Sequence, residues 1–262
     1  DKYAVSLALV LLRRQLERLR AAGRGQSDLS FGILITGDEE IGGANGAGHV
    51  LAEIETDFGI ALDGGSLDKI VVKEKGLVRL RLVARGRAAH GSRPWLGENA
   101  IENLMADYAR LKPFFQVSAP DHWHRTLNLG ILTAGRAVNQ VPDRAEALLD
   151  IRFTEDDDMD RLLAEMAAAV RGELVVERRD PLFLGGQSPY LETLLALTPG
   201  TRVGAEHGAS DARYLSARGI PGIVWGADGD RSQHADDEHV DIYSVQRLFA
   251  ILDDFLKEVK TF

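Results

Sequence analysis

The stretch LVRLRLVA, residues 77–84, mixes apolar side chains with arginines in the alternating way of a half-exposed strand. Successive residues of a strand point to opposite faces, so the pattern predicts a strand in a sheet with one wet face. Outward along the chain, further segments have helical or strand periodicity: a helix at 100–111, strands at 127–133 and 145–153, a helix at 159–170 and a strand at 174–176. The order β-α-β-β-α-β predicts a self-contained ferredoxin-like unit.

The segments on either side of this unit have a different character. Three short apolar runs are nearly continuous: FGILIT at 31–36, FGIAL at 58–62 and GIVW at 222–225. Such runs predict strands covered on both faces in a parallel sheet. Helical patterns accompany them at 47–54, 189–197, 211–217 and 244–259. The sequence therefore predicts an α/β fold, in which a mainly parallel-sheet domain (1–72 and 179–262) is interrupted by an α+β domain (73–178).

Composition and charge restrict the classes of partner and of metal ligand that fit the sequence. The 262 residues have a formal net charge of -9, from 31 basic and 40 acidic side chains, which argues against nucleic acid or an anionic membrane as partner. There is no cysteine, so a metal site would use His, Asp and Glu, as in zinc, manganese or cobalt hydrolases. The lack of cysteine also fits a cytoplasmic protein. The longest apolar run, 4–12, is too short to span a bilayer.

Each apolar run leads toward acidic residues or a histidine. Glu39 and Glu40 follow the first run, Asp63 follows the second, and a loop with His234 follows the third. The carboxyl ends of parallel strands lie at one edge of a sheet, where ligands bind, so we expect these groups to converge. Adjacent residues of an extended chain point to opposite sides, which allows one glutamate to bind a metal while its neighbour acts as general base. The alternative is a pair of exposed glutamates that begin a helix.

Other chemistries fit less well. A serine hydrolase is disfavoured because Ser210 has no evident base near it in the sequence and no G-x-S-x-G elbow is present. The glycines at 42–43 do not form the G-x-G-x-x-G of a dinucleotide site. His122 and His124 flank Trp123 without a nearby set of carboxylates, which favours an ordinary polar loop over a metal site.

Taken together, the motifs resemble the family of acetylornithine deacetylase, succinyl-diaminopimelate desuccinylase, carboxypeptidase G and related dipeptidases. The resemblance covers essentially the whole chain, and its specificity lies in the ordered set TGDEEIGG, ALDGG, AAHGSRP, NQVPDRAEALLDIR, GASDAR and HADDEHV. Members have a two-metal aminopeptidase-like catalytic domain interrupted by a lid domain that dimerises. The resemblance therefore implies hydrolysis of an amide bond in a dipeptide, a peptide or an N-acyl amino acid by a homodimer joined through its lids.

The resemblance also implies roles for the predicted cluster. Glu39 matches the general base of the family, which acts on a metal-bound water. Glu40, Asp63 and His234 match metal ligands, with Glu40 and His234 on the same metal. Two divalent metal ions are implied, zinc first, with manganese and cobalt as alternatives.

Four further residues match positions that contact substrate in the family. His90 matches a lid histidine that reaches across the dimer to the oxyanion, and Asn139 matches a lid residue that holds the substrate. Arg152 matches the residue that grips a free substrate carboxylate, for which its planar fork is suited. Gly208 matches a point where the backbone approaches the substrate.

The resemblance departs at the beginning of the chain. The family's first metal ligands are a His in an H-x-D motif and a bridging Asp, and alignment on Lys2 puts that Asp just before Asp1. We therefore expect these N-terminal ligands to be missing from the chain. Two classes of function stay open: a working hydrolase whose N-terminal part is not in this chain, and a catalytically incomplete relative or fragment that acts as a dimerising or binding module.

Overall fold

The computed structural model describes residues 2–64, 66–229 and 236–259. It contains two compact units, which we call the interrupted unit (Asp1–Glu74 with Phe183–Phe262) and the inserted unit (Lys75–Leu182). The helices are α1 Lys2–Ala21, α2 Ala47–Val50, α3 Ala100–Leu111, α4 Met159–Ala169, α5 Pro189–Leu197, α6 Arg213–Ala217 and α7 Ile242–Glu258. The strands are β1 Gly59–Ala61, β2 Lys69–Glu74, β3 Gly76–Arg85, β4 Ala89–His90, β5 Thr126–Ala134, β6 Gln140–Val141, β7 Arg144–Phe153, β8 Glu173–Asp180, β9 Phe183–Leu184, β10 Arg202–Glu206 and β11 Gly222–Val224. Among the described residues, no helix is both long and apolar enough to cross a membrane.

In the inserted unit, four strands form an antiparallel sheet in the order β5-β7-β3-β8. The central pair, β3 and β7, runs in register from Gly76 opposite Phe153 to Arg85 opposite Arg144. Aliphatic side chains of these two strands pack with α3 and α4 into one core: Val78, Leu80, Leu82, Ala147, Leu149 and Ile151. The predicted ferredoxin-like order of elements is present, and α3 has its predicted bounds.

In the interrupted unit, a mixed sheet has the order β1-β11-β2-β10, with β9 paired to β2. β1 pairs with β11 and β2 with β10 in parallel, whereas β2 runs antiparallel to both β11 and β9. Residues of α1, α5 and α7 share one apolar core with β2 and β11. The α/β fold class is confirmed, and the sheet is more mixed than the continuous apolar runs indicate.

A buried carboxylate ties α1 to α7. Asp253 accepts hydrogen bonds from the Arg18 guanidinium on both oxygens, at 2.5 and 2.7 Å, and from Gln15 Nε2 at 2.9 Å. Arg14 and Lys257 add ion pairs at 3.4 Å each. Burial acts to raise the pKa of Asp253, but the hydrogen bonds from Arg18 and the neighbouring cations hold it below its ordinary value. The pair of helices is therefore fastened by charge as well as by apolar contact.

The predicted strand at 31–36 is wrong. These residues form no strand, and Leu34 and Ile35 are 41% and 53% exposed. An apolar run becomes a strand only where its N–H and C=O groups find a partner, and no strand among the described residues pairs with it. The sheet includes β2 and β10 instead, and neither is a continuous apolar run, because charged residues begin and end both strands.

Candidate active site

A tight turn presents the two predicted glutamates. Glu39–Ile41 form a turn of 3-10 helix that closes on two glycines in the left-handed region, Gly42 at φ 108° and Gly43 at φ 66°. Glycine adopts these angles without the steric cost of a side chain, so the Gly-Gly that follows the glutamates fixes the turn. The Asp38 carboxylate braces it by accepting two backbone N–H groups further along the chain, each at 2.9 Å.

The segment 210–214 packs against this turn. The Tyr214 hydroxyl donates to the Gly42 carbonyl at 2.5 Å. The Asp211 carboxylate lies so close to Gly43 that an added Cβ there would be 1.8 Å from Asp211 Oδ1. Gly43 is therefore needed twice, for its backbone angle and for the space that it leaves to the carboxylate.

Carboxylates converge beside the turn. Burial raises the pKa of Glu39, and the negative charges of Asp63, Asp211 and Glu40 raise it further. Arg213 opposes this shift, with Nη2 3.7 Å from Glu39 Oε1. The structure thus brings Glu39 and Asp63 within electrostatic reach of each other, as the sequence predicts. A carboxyl group with a raised pKa is a better proton acceptor near neutral pH than an ordinary glutamate.

Two charged groups buried near this cluster are not singled out by the sequence. Glu74 ends β2 and accepts the Ser210 N–H at 3.0 Å and the Ser210 hydroxyl at 2.7 Å. Burial raises its pKa, although the bonds from Ser210 act in the other direction. Arg213 is only 3% exposed. Arg213 belongs to the GASDAR motif. The position of Arg213 or Glu74 in the sequence does not, however, indicate which residues either side chain contacts.

Two of the predicted site residues lie at the surface of the interrupted unit. Glu40 is exposed beside Glu39, and its charge contributes to the raised pKa of that neighbour. Gly208 is exposed between β10 and α6, and an added Cβ would meet no atom within 4 Å. Space alone therefore does not require glycine at 208, and its contact with substrate stays a prediction.

The predicted metal ligands are only partly within the described structure. His234 lies outside the described residues, and no three His, Asp or Glu side chains among those described form a set that could hold a metal ion. The acidic part of the site nevertheless fits a cation, because the buried Oδ1 atoms of Asp38 and Asp211 accept no hydrogen bond from the described residues. A bound cation would offset the negative charge that collects there.

In the inserted unit, His90 and Asn139 lie side by side. His90 pairs with Gln140 across β4 and β6, and the Gly91 N–H donates to the Asn139 carbonyl at 2.7 Å. The Ser92 N–H donates to His90 Nδ1 at 3.2 Å. This bond assigns the proton of the neutral ring to Nε2. His90 is exposed, so its Nε2–H can donate to a group outside its own unit.

Arg152 lies at the far end of β7 from this pair. Its Nε donates to Asp150 Oδ1 at 2.8 Å, and it is partly exposed. At a rise of about 3.4 Å per residue, Arg152 is about 27 Å from Arg144 at the beginning of the strand. His90 and Asn139 lie beyond that beginning, where β4 and β6 pair. Arg152 and the pair His90–Asn139 therefore cannot contact the same small substrate within one inserted unit.

Comparison with known proteins identifies a domain and relatives of this chain. Residues 72–177 match the M20 peptidase dimerisation domain. The resemblance drawn from the motifs is thereby confirmed: the chain carries this dimerisation domain and is a homologue of desuccinylases and carboxypeptidases.

Individual relatives are similar over much of the chain. A protein named "Probable carboxypeptidase" from Aspergillus clavatus is 32% identical over 77% of this chain and 54% of its own length. A succinyl-diaminopimelate desuccinylase from Corynebacterium glutamicum is 27% identical over 70% of this chain and 53% of its own length. The chain thus spans about half the length of these curated relatives. The crystal structure of aminopeptidase PepT from Bacillus cereus superposes with a TM-score of 0.69 at 22% identity, covering 86% of this chain and 63% of its own, which shows a shared fold.

Proposed function

We propose that the complete protein is a metal-dependent hydrolase that cleaves the amide bond of a peptide or an N-acyl amino acid. The observation that carries the proposal is the placement of Glu39, a carboxyl group with a raised pKa on a braced turn, beside Asp63 and further carboxylates. A binding module has no need of a base next to a group of acidic ligands. The names of the relatives, carboxypeptidase and desuccinylase, support a reaction of this type.

In this proposal Glu39 moves the proton. It takes a proton from the attacking water and returns it to the leaving amine. Asp63 is oriented by the Gly64 N–H, which donates to its Oδ1 at 2.6 Å. Glu40, Asp63 and His234 would hold two divalent metal ions, zinc or else manganese or cobalt, which would supply Lewis-acid polarisation of the carbonyl and a lower pKa for the water.

The inserted unit would supply the contacts to substrate. His90 Nε2–H donates to the oxyanion, Asn139 holds the substrate beside it, and Arg152 binds a free carboxylate with its two-pronged guanidinium. Because the two groups of residues lie at opposite ends of β7, the proposal assigns them to different active sites. A complete site then needs two copies of the chain, which is consistent with a dimerisation domain at 72–177.

The β5 edge is the surface that we propose for the homodimer. This strand, TLNLGILTA, contains no charged residue, and Ile131 and Leu132 on it are exposed. The opposite edge, β8, has the mostly charged sequence ELVVERRD. Charged side chains on an edge strand commonly prevent it from pairing with a strand of another molecule. The uncharged edge strand β5 is therefore better suited than β8 to pair with a partner strand. A second β5 related by a two-fold axis would pair with it antiparallel.

Paired substitutions in the complete gene product test the proposal. Glu39→Gln is expected to keep the metals yet lose on the order of 10²–10⁴-fold in kcat, because only the proton transfer is removed. Glu40→Gln is expected to lose metal, measured by elemental analysis. Glu55→Gln, an exposed glutamate of the same unit, is the matched control. The substrates are dipeptides and N-acyl amino acids, each offered with a free and with an amidated carboxyl group.

The outcomes separate the parts of the proposal. Equal loss of metal by both variants at similar activity would contradict the division of roles between Glu39 and Glu40. Equal hydrolysis of free and amidated substrates would remove the role assigned to Arg152. A complete protein that binds no metal and hydrolyses no substrate would instead favour a dimerising or binding module.

A further inference from the structure

The segment 211–214 holds the turn of the two glutamates at several points. Asp211 lies against Gly43, and Tyr214 donates to the Gly42 carbonyl. Both contacts act on the backbone of the turn. Arg213, between them in the sequence, is directed at the Glu39 side chain, the group that the proposed reaction uses.

The guanidinium of Arg213 is confined on several sides. Its Nη2 lies 3.7 Å from Glu39 Oε1 and 3.9 Å from Asp211 Oδ1. Its Cζ lies over the ring of Tyr214, 5.6 Å from the centroid. A buried cation is tolerated where carboxylates offset its charge, and the planar guanidinium can face two of them at once. The position and orientation of the charge are therefore set by the fold.

Glu39 needs such a partner because of its surroundings. Its nearest charged neighbours besides Arg213 are the carboxylates of Asp63, Asp211 and Glu40, none of which can hold another carboxylate in place. Its side chain is 36% exposed, so without an opposing cation it is free to rotate away from them toward solvent. In that orientation it would no longer face the other carboxylates that surround the proposed reaction site.

We propose that Arg213 is a positioning residue, which holds the Glu39 carboxylate in the orientation from which it accepts the proton. The inference rests on the proposed function of Glu39. A direct contact between Arg213 and the carboxylate of a substrate does not fit, because a residue that is 3% exposed and enclosed by Glu39, Asp211 and Tyr214 offers no face to a ligand.

A double-mutant cycle in the complete gene product tests this role. Arg213→Ala is expected to lower kcat by roughly 10²-fold, the effect of misplacing a reacting group by about 1 Å, while KM and metal content change little. Arg213→Lys should give an intermediate kcat, because the charge is kept and the planar fork is lost. Arg218→Ala, an exposed arginine at the end of the same helix, is the control and should match the wild type.

The decisive comparison uses the Glu39→Gln background. If Arg213 acts through Glu39, adding Arg213→Ala there should cause almost no further loss of kcat, since the interaction is already broken. If Arg213→Ala does not fold, the cycle is run with Arg213→Lys, which should slow the enzyme only when Glu39 is present.

Four results would overturn the inference. A loss confined to KM would place Arg213 on the substrate, and an equal loss in both backgrounds would make its role merely structural. Full activity of Glu39→Gln alone would overturn the proposed function, and the inference with it. Loss of activity in Glu39→Gln without coupling to Arg213 would overturn the inference alone.

Discussion

Charge is buried in different ways in the inserted unit and around the turn of Glu39 and Glu40. In the inserted unit, Lys75 donates to the carbonyls of His122 and His124 at 2.8 and 2.6 Å, and Asp107 accepts two backbone N–H groups at 3.0 and 2.8 Å. In the interrupted unit, the carboxylates near Glu39 repel one another. Buried charge by itself therefore does not mark a site. Convergence of like charges is a better indicator, because their repulsion costs free energy that a bound cation can offset.

The two regions also differ in the kind of side chain that they bury. The central strands of the inserted unit contribute fully buried aliphatic residues such as Leu80 and Leu149. Near the turn of Glu39 and Glu40, the interrupted unit buries Glu74 and Arg213 instead. We therefore expect substitutions in the first core to change stability, and substitutions near the second group to change activity.

The largest change in stability should follow the loss of an aliphatic side chain between β3 and β7. Leu80→Ala is expected to lower the opening free energy of the inserted unit by about 2–5 kcal/mol, because the fully buried site leaves a cavity. Hydrogen exchange of the β3 and β7 amides measures this opening locally. Val176→Ala, at an exposed position of the same sheet, is the control and should stay within about 0.5 kcal/mol. A similar effect of both substitutions would show that this core is not the source of the unit's stability.

A smaller, pH-dependent change is expected at Asp253, between α1 and α7. The folded-state pKa of Asp253 lies below its ordinary value of 3.8. Its charge therefore stabilises the fold fully above pH 3.8, and this contribution is lost as the pH falls through the folded-state pKa. Asp253→Asn should therefore be less stable than the wild type by about 1–3 kcal/mol at neutral pH, and the difference should shrink in acid below 3.8.

Denaturant midpoints of the two proteins at matched pH measure this difference. Asp254→Asn is the control: Asp254 is exposed and also pairs with Lys257, at 2.5 Å, but an ion pair in solvent contributes little, so the change in stability should be small. A difference between Asp253→Asn and the wild type that stays constant from neutral pH into acid would contradict a role for the Asp253 charge.

The inserted unit was the easier one to predict from the sequence. The strands of its four-stranded sheet have eight to ten residues, long enough to show a periodicity, and α3 falls at the predicted 100–111. The interrupted unit has strands of three residues, such as β1 and β11, where a pattern is too short to distinguish paired from unpaired chain. The predicted strand at 31–36 fails because no strand among the described residues pairs with it, which an apolar run cannot reveal, whereas the helix at 189–197 is confirmed at its predicted bounds.

The residues of the candidate site, too, can be predicted from the sequence only in part. Glu39 and Asp63 both follow apolar runs, and the structure brings them close together although only the second run contains a strand, β1. Arg213 and Glu74 could not be predicted, because their roles depend on contacts between segments far apart in the chain, Glu39 with Arg213 and Glu74 with Ser210. Sequence reasoning locates groups at the ends of elements, and tertiary contacts decide which of them face one another.

We propose that each active site combines Glu39 of one copy of the chain with His90 of another copy. His90→Ala should fold, bind metal and dimerise, yet lose roughly 3–4 kcal/mol of transition-state stabilisation as an oxyanion donor is removed. The most direct test mixes inactive Glu39→Gln subunits with inactive His90→Ala subunits and lets them exchange. Random pairing of a two-fold dimer should then restore about a quarter of the wild-type sites, since each heterodimer has one intact site. A mixture that forms heterodimers and stays inactive would contradict the account, because His90 would then act within its own chain or not at all.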